Sequence, residues 1–366
     1  VKLEEAGMGR QFSRRSLLRD IAIGGLAIGT MELGGLRAAR AEDKFIVAST
    51  GGSWGEGIRA SFITAPKLEE RFKIPIQQAE QIESVAVSKI LAQPNNPPFS
   101  VSQHGDPEAI LLADSGCLQG YDPSLVTHFK DLYPSATQPT RDGMEAWFGS
   151  LVLTFWGLTY NTKYVTSTPS SFDEMWNPKY KGRVGVPAFG WYGMLFLHEI
   201  NRLHGGKEDD ASKGIAAIAE LVRNNQAVIL ANADQTVQAF QREEVVIAPF
   251  FNGRTFGLQE SGVPVNIAYV PCSTLLNAGY VIMKATEQHE LANAFVDATF
   301  TPEFQLLMTK RFRYPPSNRK AVLPPEMQHY AVREQDLANA IALDWVAMNK
   351  TRASNLDRWN KEVLGS

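Results

Sequence analysis

The sequence predicts an α/β fold in two lobes, each a sheet covered by helices. Three observations point there. Strand-like and helix-like runs alternate from about residue 44, the alternation occurs in two consecutive blocks, and residues 42–366 form a stretch longer than one hydrophobic core usually serves.

Residues 1–41 stand apart from this pattern. "SRRSLLR" (Ser13 to Arg19) is similar to a twin-arginine export consensus, the apolar run "IAIGGLAIGTM" follows, and Ala39-Arg40-Ala41 is an A-x-A cleavage site. The apolar run is too short to span a bilayer, which takes roughly 20 apolar residues. A basic tail without an address is the competing reading, but it gives no reason for the three features to occur in this order. Residues 1–41 are therefore expected to be a twin-arginine export signal, with a periplasmic product.

The elements then follow in order. "KFIVAST" reads as a strand, "EGIRASFITAPKLEERF" as one amphipathic helix, "IPIQQAE" as a strand and "SVAVSKILAQ" as a helix. "FSVSQHGD" and "PEAILLADSG" repeat the pair, with Pro107 suited to a first helical turn. The second block runs through "GSLVLTFWGLTYNT", "RVGVPA", the helices "GMLFLHEINRLHGG" and "ASKGIAAIAELVRNN", and the strand "EVVIAPFFNG". After "VNIAYVPCSTLLNAGYVIM" the pattern turns helical: two helices meet at Thr301-Pro302, a cap followed by proline, "YPPSN" breaks the run, and the last forty or so residues read as helix.

Composition excludes several classes. The chain carries 36 Lys and Arg against 39 Asp and Glu, and without residues 1–41 the balance is 29 against 35. A net negative chain is a poor nucleic-acid binder. Cys117 and Cys272 lie far apart in sequence; a periplasmic disulfide and two buried thiols are both compatible with them. The six histidines are scattered and no metal-spaced cluster occurs, so neither metal nor cofactor is expected.

"GGSWG" (Gly51 to Gly55) satisfies G-x-S-x-G, the nucleophile elbow of α/β hydrolases. An elbow follows a central strand and needs an earlier loop for its oxyanion hole. Here a single strand precedes it, so catalysis by Ser53 is the weaker reading. In the stronger one Gly51 and Gly52 bring the backbone close to a ligand, and Ser53 donates to that ligand or caps the next helix. A capped helix with no ligand contact is the plainest alternative. Trp54 offers a face to a cation, worth roughly 0.5–2 kcal/mol, and Glu56 a partner for an amine. A core tryptophan and a surface glutamate remain open. Trp191 and Tyr192, between Gly190 and Gly193 in "AFGWYG", read as cleft lining more than as core.

Taken in order, "GSWGEG", "FFNGRTF", "LLNAGYVIMKAT" and "RYPPSN" resemble the landmarks of the extracellular solute-binding proteins of ABC importers. The nearest subgroup is the spermidine/putrescine-binding one. The resemblance implies the two-lobe (type II) periplasmic binding protein fold, with mixed sheets and ligand held in the cleft. It places lobe one at residues 42–150 and 276–325 and lobe two at 151–275 and 326–366. It also implies delivery of ligand to an inner-membrane permease, with no catalysis and a monomeric state.

The chain departs from that subgroup where its members carry acids. "AFGWYG" and "LLNAG" have none, and Asn277 stands in the second. Arg254 in "FFNGR" offers a planar fork for a carboxylate or phosphonate, or faces solvent. Glu56 and Arg254 therefore suggest a small zwitterion or organic anion, clasped by Trp54, Trp191, Tyr192 and Phe251. Gln103 in "SQHGD" is a further contact, and His104 beside it reads as structural. The competing functions are polyamine binding, a Ser53 hydrolase, and a scaffold that binds protein alone. Ferric-ion binders use adjacent tyrosines, and no Tyr-Tyr pair occurs.

Overall fold

The structure is a computed structural model describing residues 44–64, 67–81 and 83–365. The expected export signal lies outside the described residues. The chain opens with β1 (Phe45–Ser49), α1 (Gly52–Thr64), α2 (Leu68–Phe72), β2 (Ile76–Glu80), α3 (Glu83–Ala92), β3 (Val101–Gly105), α4 (Asp106–Asp114) and the short β4 (Leu118–Gln119). Next come β5 (Thr154–Asn161), β6 (Gly185–Pro187), α5 (Trp191–Leu203), α6 (Ser212–Asn224), β7 (Val228–Leu230), α7 (Ala233–Gln241), β8 (Ile247–Phe251) and α8 (Asn252–Glu260). The remainder is β9 (Val265–Ala268), β10 (Thr274–Leu276), β11 (Ala278–Met283), α9 (His289–Phe300), α10 (Pro302–Phe312), α11 (Glu334–Asn339), α12 (Trp345–Arg358) and a π turn, Trp359–Val363.

Two sheets carry two lobes. The first has the order β2-β1-β3-β11-β4, parallel among β2, β1 and β3 and antiparallel where β11 meets β3 and β4. The second is antiparallel, with β5 flanked by β8 on one edge and by β10 and β9 on the other. Parallel β6 and β7 lie beside it, joined by a bridge from Val184 to Ile247. β10 pairs with β5 and β11 with β3, so the chain changes sheet at one residue, Asn277. Segments 150–154 and 312–317 run beside this crossing. Leu151 N donates to Ala278 O (2.9 Å), and Leu153 N donates to Pro315 O (2.8 Å).

Burial follows the apolar periodicity. Phe45, Val47, Val101, Tyr280, Ile282 and Phe295 fill the first lobe; Val186, Phe196, Ile200, Ile215, Ile218 and Trp359 fill the second. Thr301 caps α10, accepting from Phe304 N, with Pro302 in the first turn as the sequence predicts. The single helix expected over 56–72 is instead two helices, α1 and α2. Pro66, with no N–H to continue a helical ladder, lies between them in sequence. The last forty residues are less helical than expected: only α11, α12 and the π turn are helical there beyond a short 3₁₀ segment ending at Tyr330. α12 lies against α4 and the π turn against α6, so this tail touches both lobes.

Candidate functional site

Strand order sets the site. In an open sheet, ligands gather outside the carboxyl ends of strands, and β1, β2 and β3 end side by side at Ser49, Glu80 and Gly105. The turn after β1 is tight. Gly52 has φ +63°, and a Cβ on Gly51 would fall 2.3 Å from Glu80 Oε2, so the backbone there passes directly under the Glu80 carboxylate.

A crevice opens where these ends face the second lobe. Its two cavities, about 600 and 510 Å³, share Thr50, Glu83, Thr154, Trp191, Tyr192 and Ala278 as walls. Trp54 and Trp191, from opposite lobes, line the same cavity. Trp54 is held by its indole N–H, which donates to Gln103 Oε1 (3.1 Å), and by Phe312 and Tyr314 at 4.9 and 6.3 Å between ring centroids. On the facing wall Trp191 lies nearly parallel to Phe251 (6.3 Å, 20°), and Tyr192 stacks on the buried Trp156 (5.6 Å, 22°). Phe251 ends β8, and the next residue, the fully buried Asn252, ties α8 to β5 by accepting from Phe155 N and donating to Leu153 O.

The sequence-predicted residues distribute unevenly. Ser53, Trp54, Gln103, Trp191, Tyr192, Phe251 and Arg254 line one cavity and Asn277 the other. Glu56 lines neither, and instead accepts from the Arg311 guanidinium on the surface. Ser53 is exposed and lies within the first turn of α1, so it does not cap that helix. No histidine lines either cavity. His104 is sealed inside β3, and burial alone drives its pKa down to about 3. Both cysteines are free thiols; burial pushes the Cys117 thiol up.

Charge is polarised along the crevice. At one end Arg311 is engaged by Glu56 and Arg313 by Glu260, whereas among the described residues Arg254 has only Asp234 at 3.9 Å, with both side chains more than half exposed. At the other end stand Glu80, Glu83 and Glu108, with Arg352 of α12 as the cation on that side. Glu83 opens α3 and Glu108 opens α4. Burial raises both carboxyls, and Glu108 raises Glu83 further, to about 7. Sequence reading passed over these acids.

Two helix-covered sheets joined by crossing segments, with an aromatic crevice between them, define a binding protein of the two-lobe periplasmic class. The chain belongs to the bacterial extracellular solute-binding protein family, whose sequence profile matches residues 65–335. No curated protein sequence matches it. Among solved structures it is similar to an ABC transporter protein of Clostridium perfringens (TM-score 0.73, 16% identity, 87% of this chain and 100% of that one). It is also similar to the spermidine/putrescine substrate-binding protein PotD of Streptococcus pneumoniae (0.69, 18%, 87% and 100%). A third is MotA of A. tumefaciens in complex with glucopine (0.65, 18%, 87% and 99%).

Proposed function

We propose that the protein is the periplasmic solute-binding component of an ABC importer, exported by the twin-arginine route. As a monomer it holds a small organic zwitterion or anion and delivers it to an inner-membrane permease. The lobes divide at residues 42–150 with 276–325 and 151–275 with 326–366, the tail also meeting α4 of the first lobe. Trp54, Trp191, Tyr192 and Phe251 clasp the ligand's body, Ser53, Gln103 and Asn277 offer hydrogen bonds, and Arg254 takes the acid. The complex of MotA with glucopine, a protein of similar fold, supports an organic ligand.

One observation carries the reading: Arg254 is the least neutralised of the three cations lining an aromatic cavity. A charge-assisted hydrogen bond contributes about 1.5–3 kcal/mol, so Arg254 orients a ligand that the aromatic walls hold. Thermal-shift screening against amino acids, organic acids, phosphonates and polyamines should give stabilisation by an acid-bearing compound, following RT ln(1+[L]/Kd). Arg254→Gln should then weaken that compound about tenfold or more. Stabilisation by putrescine and spermidine alone, unaffected by Arg254→Gln, would count against the assignment.

A further inference from the structure

The end of the crevice opposite Arg254 has its own chemistry, and its free polar atoms are acceptors. Glu83 is the carboxylate that lines both cavities among the described residues. Glu108 Oε2, across from it, is buried without a hydrogen-bond partner. Asn277 lines the same cavity, is 6% exposed, and donates through Nδ2 to Ser135 O (3.3 Å), which fixes its amide orientation and leaves Oδ1 without a partner. Acceptors from three elements therefore line one space, and two of them, Glu108 Oε2 and Asn277 Oδ1, are buried without donors, which is costly. Burial raises the Glu83 carboxyl and the neighbouring Glu108 raises it further, while Arg352 draws Glu108 down. Tyr192 lines both cavities, one shared with Arg254 and Glu83 and the other with Glu83 and Glu108.

Resting on the solute-binding reading above, we infer that Glu83, with Glu108 and Asn277 Oδ1, is the specificity-determining pole for an ammonium group, so that the ligand is an amino acid-like zwitterion rather than a simple anion. An ammonium carries three donors and suits three acceptors. Its charge also relieves the Glu83–Glu108 repulsion. Arg352, exposed on α12, lines the same cavity and acts on Glu108, so Glu83 is the less compensated of the two carboxyls. Glu56 lines neither cavity and is engaged by Arg311, which excludes it from this role.

Matched pairs of compounds test the pole. Titration calorimetry of the purified protein would compare 4-aminobutanoate with butanoate, 5-aminopentanoate with pentanoate, and glutamate with glutarate. At least one amino compound should bind about 10- to 150-fold tighter than its des-amino partner. Glu83→Gln should collapse that ratio, chiefly by weakening the amino compound, and Glu108→Gln, a second variant in case the first folds poorly, should reduce it. Equal affinities within every pair, or a ratio unmoved by Glu83→Gln in a folded variant, would overturn the ammonium pole and leave the anion-binding function standing. Failure of every organic acid, with or without an amine, would overturn the zwitterion-or-anion reading together with it.

Discussion

Gly279→Ala should lower the unfolding free energy by about 3 kcal/mol or more, a large share of a typical domain's margin. Gly279 lies in β11 two residues after the chain changes sheet, paired with His104 of β3. A Cβ there would stand 1.9 Å from Gly149 O and 3.0 Å from Gly149 C. Those atoms are backbone of the neighbouring crossing segment, so no rotamer change relieves the clash. Either the two segments separate, losing the bonds from Leu151 N to Ala278 O and from Ala278 N to Ser150 Oγ (3.2 Å), or the lobes reorient. Gly257→Ala is the control. Its nearest neighbour would be Arg313 Cδ at 3.8 Å, and within α8 an alanine should stabilise by up to about 1 kcal/mol. Urea unfolding followed by tryptophan fluorescence compares the two. A Gly279→Ala midpoint equal to that of Gly257→Ala would show that the crossing segments are not packed this tightly.

The alternation of elements, the glycine turn after β1 and the Trp191-Tyr192 wall were legible in the sequence because each is written in adjacent residues. Glu56 was misplaced for a helical reason. α1 begins at Gly52, and residues two apart on a helix point about 200° apart. Trp54 and Glu56 therefore cannot both face the crevice; Trp54 does, and Glu56 meets Arg311 of the neighbouring α10.

Glu83 was illegible for a different reason. In sequence it is an ordinary acid opening a helix, as helix dipoles favour. Only the order β2-β1-β3 brings its helix start beside that of α4, and thereby sets Glu83 against Glu108. Asn277 shows the same limit. Its place in "LLNAG" suggested a ligand group, but its backbone exchanges hydrogen bonds with Asp106, and Oδ1 is the part left free. Local pattern specifies elements, whereas a crevice between lobes is specified by pairings distant along the chain.

Raising the pH from about 4.5 to 7 should remove about 1.4 kcal/mol of Asp106's contribution to stability per pH unit. Asp106 is 2% exposed and accepts from Asn277 N (2.9 Å) and from Gln138 Nε2. Burial pushes its carboxyl up to about 7; the hydrogen bonds pull it down by less. Unfolded aspartate ionises near pH 3.9. Between the two values the folded state binds the extra proton, so stability is present at low pH and is lost as pH rises through the window, by on the order of 4 kcal/mol in all. Glu83 contributes with the same sign. His104 and His198 oppose it, because burial lowers them to about 3 and about 4 and their contribution is lost as pH falls below 6.5. The decline should therefore be steepest just above pH 6.5, where the histidines are neutral in both states. Asp106→Asn keeps one acceptor and sets an N–H₂ against a donor, costing about 1–3 kcal/mol at every pH, so the slope rather than the absolute stability is the informative quantity. Urea unfolding from pH 4.5 to 8 should show the variant's slope less negative than the parent's by about 1.4 kcal/mol per pH unit below pH 6.5. Parallel curves would mean that Asp106 is ionised throughout in the folded protein. In that case the carboxylate holding Asn277, the residue at which the chain passes between lobes, would do so without a proton at any of these pH values.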